Sequence, residues 1–267
     1  MLKTIEIREH PINYVEAGDP DHPAVVLLTG WAQDHRLFKN MVSELARDFH
    51  VLSPDWRGHD PAHTLKGDFD NDDLVADTLA LLELTGVREN FNTVSHSHGC
   101  WVNVELASRL GPKELDRIVL IDWLVEPHPG FVAQVHEGRD PTKYEAARKS
   151  MFDEWAAATT NEDVLNHIYN EMPSFGGEMW MRANREIETA YNKWGSPLKR
   201  MSAIVDKPQI KHIFSQPTDP AYREMQNEFA SRNLWFHPHY LTGKTHFPSL
   251  ENGPAVAAIV KDFLLAE

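Results

Sequence analysis

The chain has 267 residues, 42% of them hydrophobic and 25% charged, which suits one large domain around one core and excludes a disordered or fibrous chain. Its formal charge of −14 argues against nucleic acid, because phosphate binding needs a basic surface, and an anionic membrane surface would repel it. The single cysteine, Cys100, has no internal partner for a disulfide and suits a reducing compartment, so a cytoplasmic location is expected.

The opening residues, MLKTIEIREH, alternate apolar and polar like a strand and lack the apolar core of a signal peptide. Nowhere does a run of about 18 apolar residues offer a membrane span. Strand patterns continue with INYVEA and AVVLLTG, a helical run follows Asp34, and FHVLSPDW reads as the next strand. A helix rich in Leu, Ala and Asp runs from Asn71 to Gly86 and leads into FNTVSHS; the helix after Ser97 leads into RIVLID. These strands are continuous apolar runs, so the sheet is expected to be mostly parallel and covered by helices on both faces.

The rhythm then changes. Residues 127–200 form a long helical region carrying Trp155, Tyr169, Phe175, Trp180, Tyr191 and Trp194, without a strand-like run. Alternation resumes with IKHIFS, a helix after Asp219, LWFHPHY and the helix GPAVAAIVKDFLLAE. The expected organisation is an α/β core in two parts, 1–126 and 201–267, with 127–200 as an inserted helical cap. Most of the six aromatic residues are expected simply to pack. A lid over a flat apolar ligand is the alternative use of them.

The chemistry centres on Ser95-His96-Ser97-His98-Gly99, where a strand turns sharply into a helix. This is the nucleophile-elbow arrangement of the α/β-hydrolase fold, G-x-S-x-G, with Ser95 in place of the first glycine. Asp122 follows the next strand and His246 lies in the late loop TGKTHFPSL, which completes the order Ser, Asp, His expected of that fold. The imidazole titrates near neutral pH and suits proton transfer. Asp219, in SQPTDPAY, competes as the acid partner. Asp122 is favoured because it ends an apolar strand, where a buried carboxylate needs a partner such as His246, whereas Asp219 suits a helix N-cap.

In LLTGWAQDHRLF, Trp31 is placed to offer a backbone N–H to a negative oxygen, and the N–H of His98 offers a second. These donors fit a tetrahedral intermediate or an enolate-like anion equally well. Two H-x-H pairs, His96/His98 and His237/His239, could suggest a metal, but the first straddles the elbow and the second ends a strand with no carboxylate to complete a set. No metal is therefore expected, and because no phosphate-binding glycine motif occurs, no nucleotide either. Cys100 reads as a small buried helix residue.

Together TGWAQDHRLF, SPDWRGHD, HSHGCWVNVEL, IVLIDWL and KTHFPS resemble the 3-hydroxy-4(1H)-quinolone 2,4-dioxygenases, and among them the enzymes that cleave 2-heptyl-3-hydroxy-4(1H)-quinolone, a bacterial quorum-sensing signal. The resemblance spans nearly the whole chain. It implies ring opening by dioxygen without metal or organic cofactor, with release of carbon monoxide and an N-acylanthranilate. It implies that His246, held by Asp122, removes the proton of the 3-hydroxyl, and that Ser97 hydrogen-bonds the substrate rather than attacking it. The amides of Trp31 and His98 would hold the C4 oxygen, Trp155 and Trp180 would help form the pocket, and His96 would support it. Relatives acting on a 2-methyl ring carry histidine where this chain has Gln33, which replaces a titratable group by a neutral one, counts against a second proton transfer there and points to a different substrate tail. The implied partners are the quinolone and dioxygen; nothing in the sequence fixes an oligomeric state. The competing reading is a serine hydrolase of an ester, lactone or amide with Ser97 as nucleophile; a third is a ligand receptor that kept the pocket and lost the chemistry.

Overall fold

In a computed structural model, which describes residues 1–60, 67–87 and 89–266, the strands are β1 (Leu2–Ile7), β2 (His10–Ala17), β3 (Ala24–Leu28), β4 (His50–Pro54), β5 (Phe91–His96), β6 (Leu115–Ile121), β7 (Gln209–Phe214) and β8 (Phe236–Tyr240). They form one sheet in the order β1-β2-β4-β3-β5-β6-β7-β8. β2 runs antiparallel to both β1 and β4, and every other neighbouring pair is parallel.

The central strands are buried along their whole length, as β3 and β4 show, because helices cover both faces. Successive side chains of a strand point to opposite faces, and β3 divides accordingly. Val25 and Leu27 pack with α1 (Lys39–Leu45) and the C-terminal helix, while Val26 and Leu28 face α2 (Asn71–Thr85) and α3 (Gly99–Leu110). The α2 boundaries follow from local chemistry. Asp70 and Asp73 form a reciprocal capping box at its start, and Gly86 ends it at φ 77°, a conformation that costs a residue with a Cβ.

Between β6 and β7, which are neighbours in the sheet, the chain makes only helices: α4 (Pro129–Gly138), α5 (Tyr144–Ala157), α6 (Glu162–Asn166), a π-helical turn over His167–Glu171, a 3₁₀ turn over Met172–Phe175, α7 (Gly176–Trp194) and α8 (Pro197–Ser202). The chain then returns through α9 (Pro220–Arg232), α10 (Pro248–Glu251) and α11 (Gly253–Leu264). The carboxyl ends of the parallel strands and the helices between β6 and β7 therefore meet at one edge of the sheet, where loops from distant parts of the chain converge. Among the described residues, no helix is long and apolar enough to cross a membrane.

Candidate active site

Three loops at that edge each turn on a residue with a Cβ in the left-handed region: Ala32 after β3 (φ 55°), Ser97 after β5 (φ 51°) and Asp122 after β6 (φ 49°). Such a conformation costs an L-residue about 1–2 kcal/mol, and it concentrates where a side chain or amide must be aimed. The N–H of Ser97 is tied to the carbonyl of Ile121 at 2.9 Å, and that of Asp122 to the carbonyl of Ile213 at 2.8 Å, so each turn is anchored on the neighbouring strand.

Gly99 lets α3 start directly under β3: a Cβ there would lie 2.1 Å from the carbonyl oxygen of Thr29. The missing glycine of the elbow, Ser95, has a different explanation. Its hydroxyl accepts an N–H from Asn103 at 2.9 Å, and the oxygen lies 3.2 Å from the Cys100 sulfur and 3.3 Å from the Val119 carbonyl. A polar network under the turn thus occupies the space that a glycine elsewhere leaves empty. Burial pushes the Cys100 thiol pKa up, which makes it inert.

Ser97, His246 and Asp122 come together. His246 Nε2 lies 2.9 Å from Ser97 Oγ, and its Nδ1 lies 3.0 Å from Asp122 Oδ2. The other carboxylate oxygen of Asp122 accepts the N–H of Ser215 at 2.6 Å and that of Gln216 at 3.0 Å. Its orientation is therefore set from both sides. Asp219 lies outside this array and caps α9, accepting the N–H of Ala221 at 2.9 Å. The loop carrying His246 is held by Glu251, which accepts the backbone N–H groups of Lys244 and Thr245.

The imidazole of His246 is also boxed in by rings. Trp155 stacks on it with centroids 5.1 Å apart and planes at 19°, and His96 lies 4.8 Å away. His96 Nε2 donates to the His246 carbonyl at 2.7 Å, and its other nitrogen lies 3.0 Å from the Gln33 side-chain amide. Burial, and then the adjacent His246, push the pKa of His96 well below the usual histidine value, so it fits a prop better than a base.

A cavity of about 470 Å³ opens above this array, within the size range of small-molecule sites. Trp31, Gln33, Ser97, His98, Asp122 and His246 line it, and its apolar walls include Trp123, Phe131, Trp155, Trp180 and Ile187. Among the described residues, the backbone N–H groups of Trp31 and His98 donate to no protein acceptor. Of the six aromatic residues singled out in the helical region, Trp155 and Trp180 reach the cavity. Tyr191 instead packs edge-on against Trp101 and donates to the Leu124 carbonyl, Trp194 lies under Arg200, and Tyr169 is half exposed. Phe131 and Trp123 were not anticipated as walls; the position of Trp123 directly after Asp122 was the available signal.

Neither H-x-H pair falls in a group of three or more close metal-ligand-type side chains among the described residues. His98 stacks on Phe131, and His237 pairs with Gln209 at 2.7 Å. Asp34, His35 and Asp55 bring ligand-type atoms within 4.8 Å of one another, yet the Asp34 carboxylate is engaged by the Arg36 guanidinium and that of Asp55 by the His35 ring and N–H.

A serine, aspartate and histidine in that chain order, on loops at the carboxyl edge of a mostly parallel sheet, define an α/β-hydrolase-fold protein, and residues 25–259 match the model of the Alpha/beta hydrolase family. The chain is 53% identical to a 1H-3-hydroxy-4-oxoquinoline 2,4-dioxygenase of Pseudomonas putida, over 99% of this chain and 100% of that one. It is 37% identical to a 2-heptyl-3-hydroxy-4(1H)-quinolone dioxygenase of Mycobacteroides abscessus, over 99% and 98%. It belongs to the 3-hydroxy-4-quinolone dioxygenase family within the α/β hydrolases. The solved structure of a 1H-3-hydroxy-4-oxoquinoline 2,4-dioxygenase superposes with a TM-score of 0.95 at 54% identity, covering 98% of this chain and 99% of that one. A dioxygenase variant in complex with its substrate, the Pseudomonas quinolone signal, superposes with a TM-score of 0.94 at 37% identity and 99% coverage of both. The enol-lactonase of Burkholderia xenovorans, 21% identical with a TM-score of 0.79, shares the fold alone.

Proposed function

We propose that this protein opens the heterocyclic ring of 3-hydroxy-4(1H)-quinolones with dioxygen, needing neither metal nor organic cofactor, and so degrades a quorum-sensing signal. The observation that carries this reading is the full-length identity of 53% to an oxoquinoline dioxygenase. The His246–Asp122 pair beneath a flat-walled apolar cavity supports it.

His246 Nε2 takes the proton of the 3-hydroxyl, and its Nδ1–H is held by Asp122. The N–H groups of Trp31 and His98 hold the C4 oxygen, which favours the anion. Ser97, now freed from His246, hydrogen-bonds the substrate. The electron-rich ring reacts with dioxygen; new C–O bonds form at C2 and C4, the C2–C3 and C3–C4 bonds break, C3 leaves as carbon monoxide, and the proton returns to the anthranilate product. Trp155, Trp180 and Gln33 shape the pocket, and His96 props the base. Residues 127–200 serve as the cap over it. A lone buried cysteine fits a cytoplasmic enzyme.

The substrate expected from the sequence carries a 2-heptyl tail. The higher identity to an enzyme named for the ring without a 2-substituent makes that ring the comparison to run beside it. The hydrolase alternative is not favoured, since the relatives of 35–53% identity are named dioxygenases. The test is to give metal-stripped protein both quinolones in air and under nitrogen and to follow ring absorbance, dissolved oxygen and carbon monoxide. Oxygen-dependent loss of substrate with equal carbon monoxide is expected. An untouched ring in air, from a protein that cleaves simple esters, would reverse the assignment.

A further inference from the structure

His59 lies in the loop after β4, fully buried, and the reading above gives it no part. Both of its nitrogens are committed. Nδ1–H donates to the carbonyl of Arg57 at 3.2 Å, and Nε2 accepts the N–H of Ala32 at 3.0 Å. Only the neutral ring protonated at Nδ1 satisfies both bonds. Burial agrees, pushing the pKa of His59 down to about 4.

The support continues outward. The carbonyl that fixes the tautomer belongs to Arg57, whose guanidinium is clamped on Asp77 of α2. The His59 ring is held between Phe175, at 5.3 Å between centroids, Trp31, at 5.8 Å, and Phe69, at 6.5 Å.

What His59 holds is the peptide joining Trp31 to Ala32. Ala32 is one of the three left-handed residues of the site, and a conformation that costs energy persists only when its surroundings determine it. Thr29 is pinned through its carbonyl by the indole N–H of Trp56 at 2.9 Å, and Gly30 through its N–H by Gln33 Oε1 at 2.9 Å. The peptides on either side of the Gly30–Trp31 peptide are thus tied, while the Trp31 N–H finds no protein acceptor among the described residues and Trp31 lines the cavity.

We propose that His59 is a positioning residue that, by accepting the Ala32 N–H, aims the Trp31 amide at the substrate oxygen. This rests on the reading that the amide holds the C4 oxygen of a quinolone. His59 itself is not among the residues lining the cavity, and its ring packs against Trp31, Phe69 and Phe175.

The experiment compares wild type, His59→Gln and His59→Phe. Glutamine places an acceptor oxygen near the position of Nε2; phenylalanine keeps a ring but leaves the Ala32 N–H orphaned. Under nitrogen, 2-heptyl-3-hydroxy-4(1H)-quinolone is bound to each variant, and its ionised absorbance is titrated against pH; kcat and KM are then measured in air. For His59→Phe the ionisation of the bound ring should move up by about one pH unit, and kcat should fall roughly 10- to 100-fold with KM changed less than about threefold. His59→Gln should stay within about threefold of wild type.

A role in packing alone would lower the melting temperature without moving the ionisation curve. The proposal is overturned if His59→Phe ionises the ring at the wild-type pH, or if His59→Gln is as impaired as His59→Phe. Should His59→Phe not fold, His59→Asn replaces it, being polar but too short to reach Ala32, and the same contrast with His59→Gln decides. A wild-type protein that binds and ionises neither quinolone would instead remove the functional reading, and this inference with it.

Discussion

Asp122→Asn should damage catalysis more than Asp122→Ala, because the structure turns the amide into a trap for the wrong tautomer. Oδ1 of Asp122 accepts two backbone N–H groups, from Ser215 and Gln216, so the oxygen of asparagine must occupy that position. Its NH₂ group then faces His246 Nδ1, which can only accept. The single proton of the neutral imidazole is driven to Nε2, the atom that has to receive the substrate's proton. Escape by rotating the amide orphans the two N–H groups at about 1–3 kcal/mol each. The productive arrangement therefore lies about 2–6 kcal/mol above the trap, a loss of roughly 30-fold to 10⁴-fold in kcat at about 1.4 kcal/mol per tenfold. Alanine imposes no tautomer and leaves room for water at the two donors. The assay is initial oxygen uptake with saturating quinolone, with far-UV circular dichroism to confirm folding. A folded Asp122→Asn protein turning over within threefold of wild type, or faster than Asp122→Ala, would refute the reasoning.

If Ser97 serves the substrate only as a hydrogen-bond partner, as proposed, Ser97→Ala should lower kcat about tenfold while turnover persists; complete loss of oxygen uptake would make Ser97 a nucleophile. Ser95→Gly, although it restores the common elbow sequence, should destabilise the protein by about 1–3 kcal/mol, because the Asn103 amide loses its acceptor; an unchanged urea midpoint would contradict this. His59 and His212 are buried with pKa values pushed down by burial to about 4, so the unfolded chain binds protons that the folded one refuses. Their contribution to stability is whole above pH ~6.5 and drains as pH falls toward 4, by about 2 kcal/mol each at pH 5. Urea midpoints at pH 7 and pH 5 check this, and equal midpoints would count against it.

The strands and most helices were legible because their signals are local. The apolar runs of β3, β5 and β6 and the Asp70 to Gly86 helix frame speak through their own residues. Choosing Asp122 over Asp219 was also local, since one ends a buried strand and the other precedes a proline at a helix start. The frame of the site was harder to see. Asp122 is oriented by main-chain N–H groups of Ser215 and Gln216, which have no side-chain signature. Trp155 reaches His246, and Phe175 reaches His59, only after the helices between β6 and β7 have folded back. Ser95 looked like a defect in a motif and proved to be a member of a network, because Asn103 and Cys100 meet it from the next helix.

The hydrogen bonds joining His246 to Ser97 and to Asp122 span 149 and 124 residues of chain. Helices form within microseconds from near neighbours, whereas contacts of this separation await closure of very long loops. Diluted from denaturant, the protein should recover its helical signal early and its oxygen uptake last. Catalysis is then the most demanding report that the sheet has found its register, and dichroism alone would count as refolded a population that has not yet assembled its base.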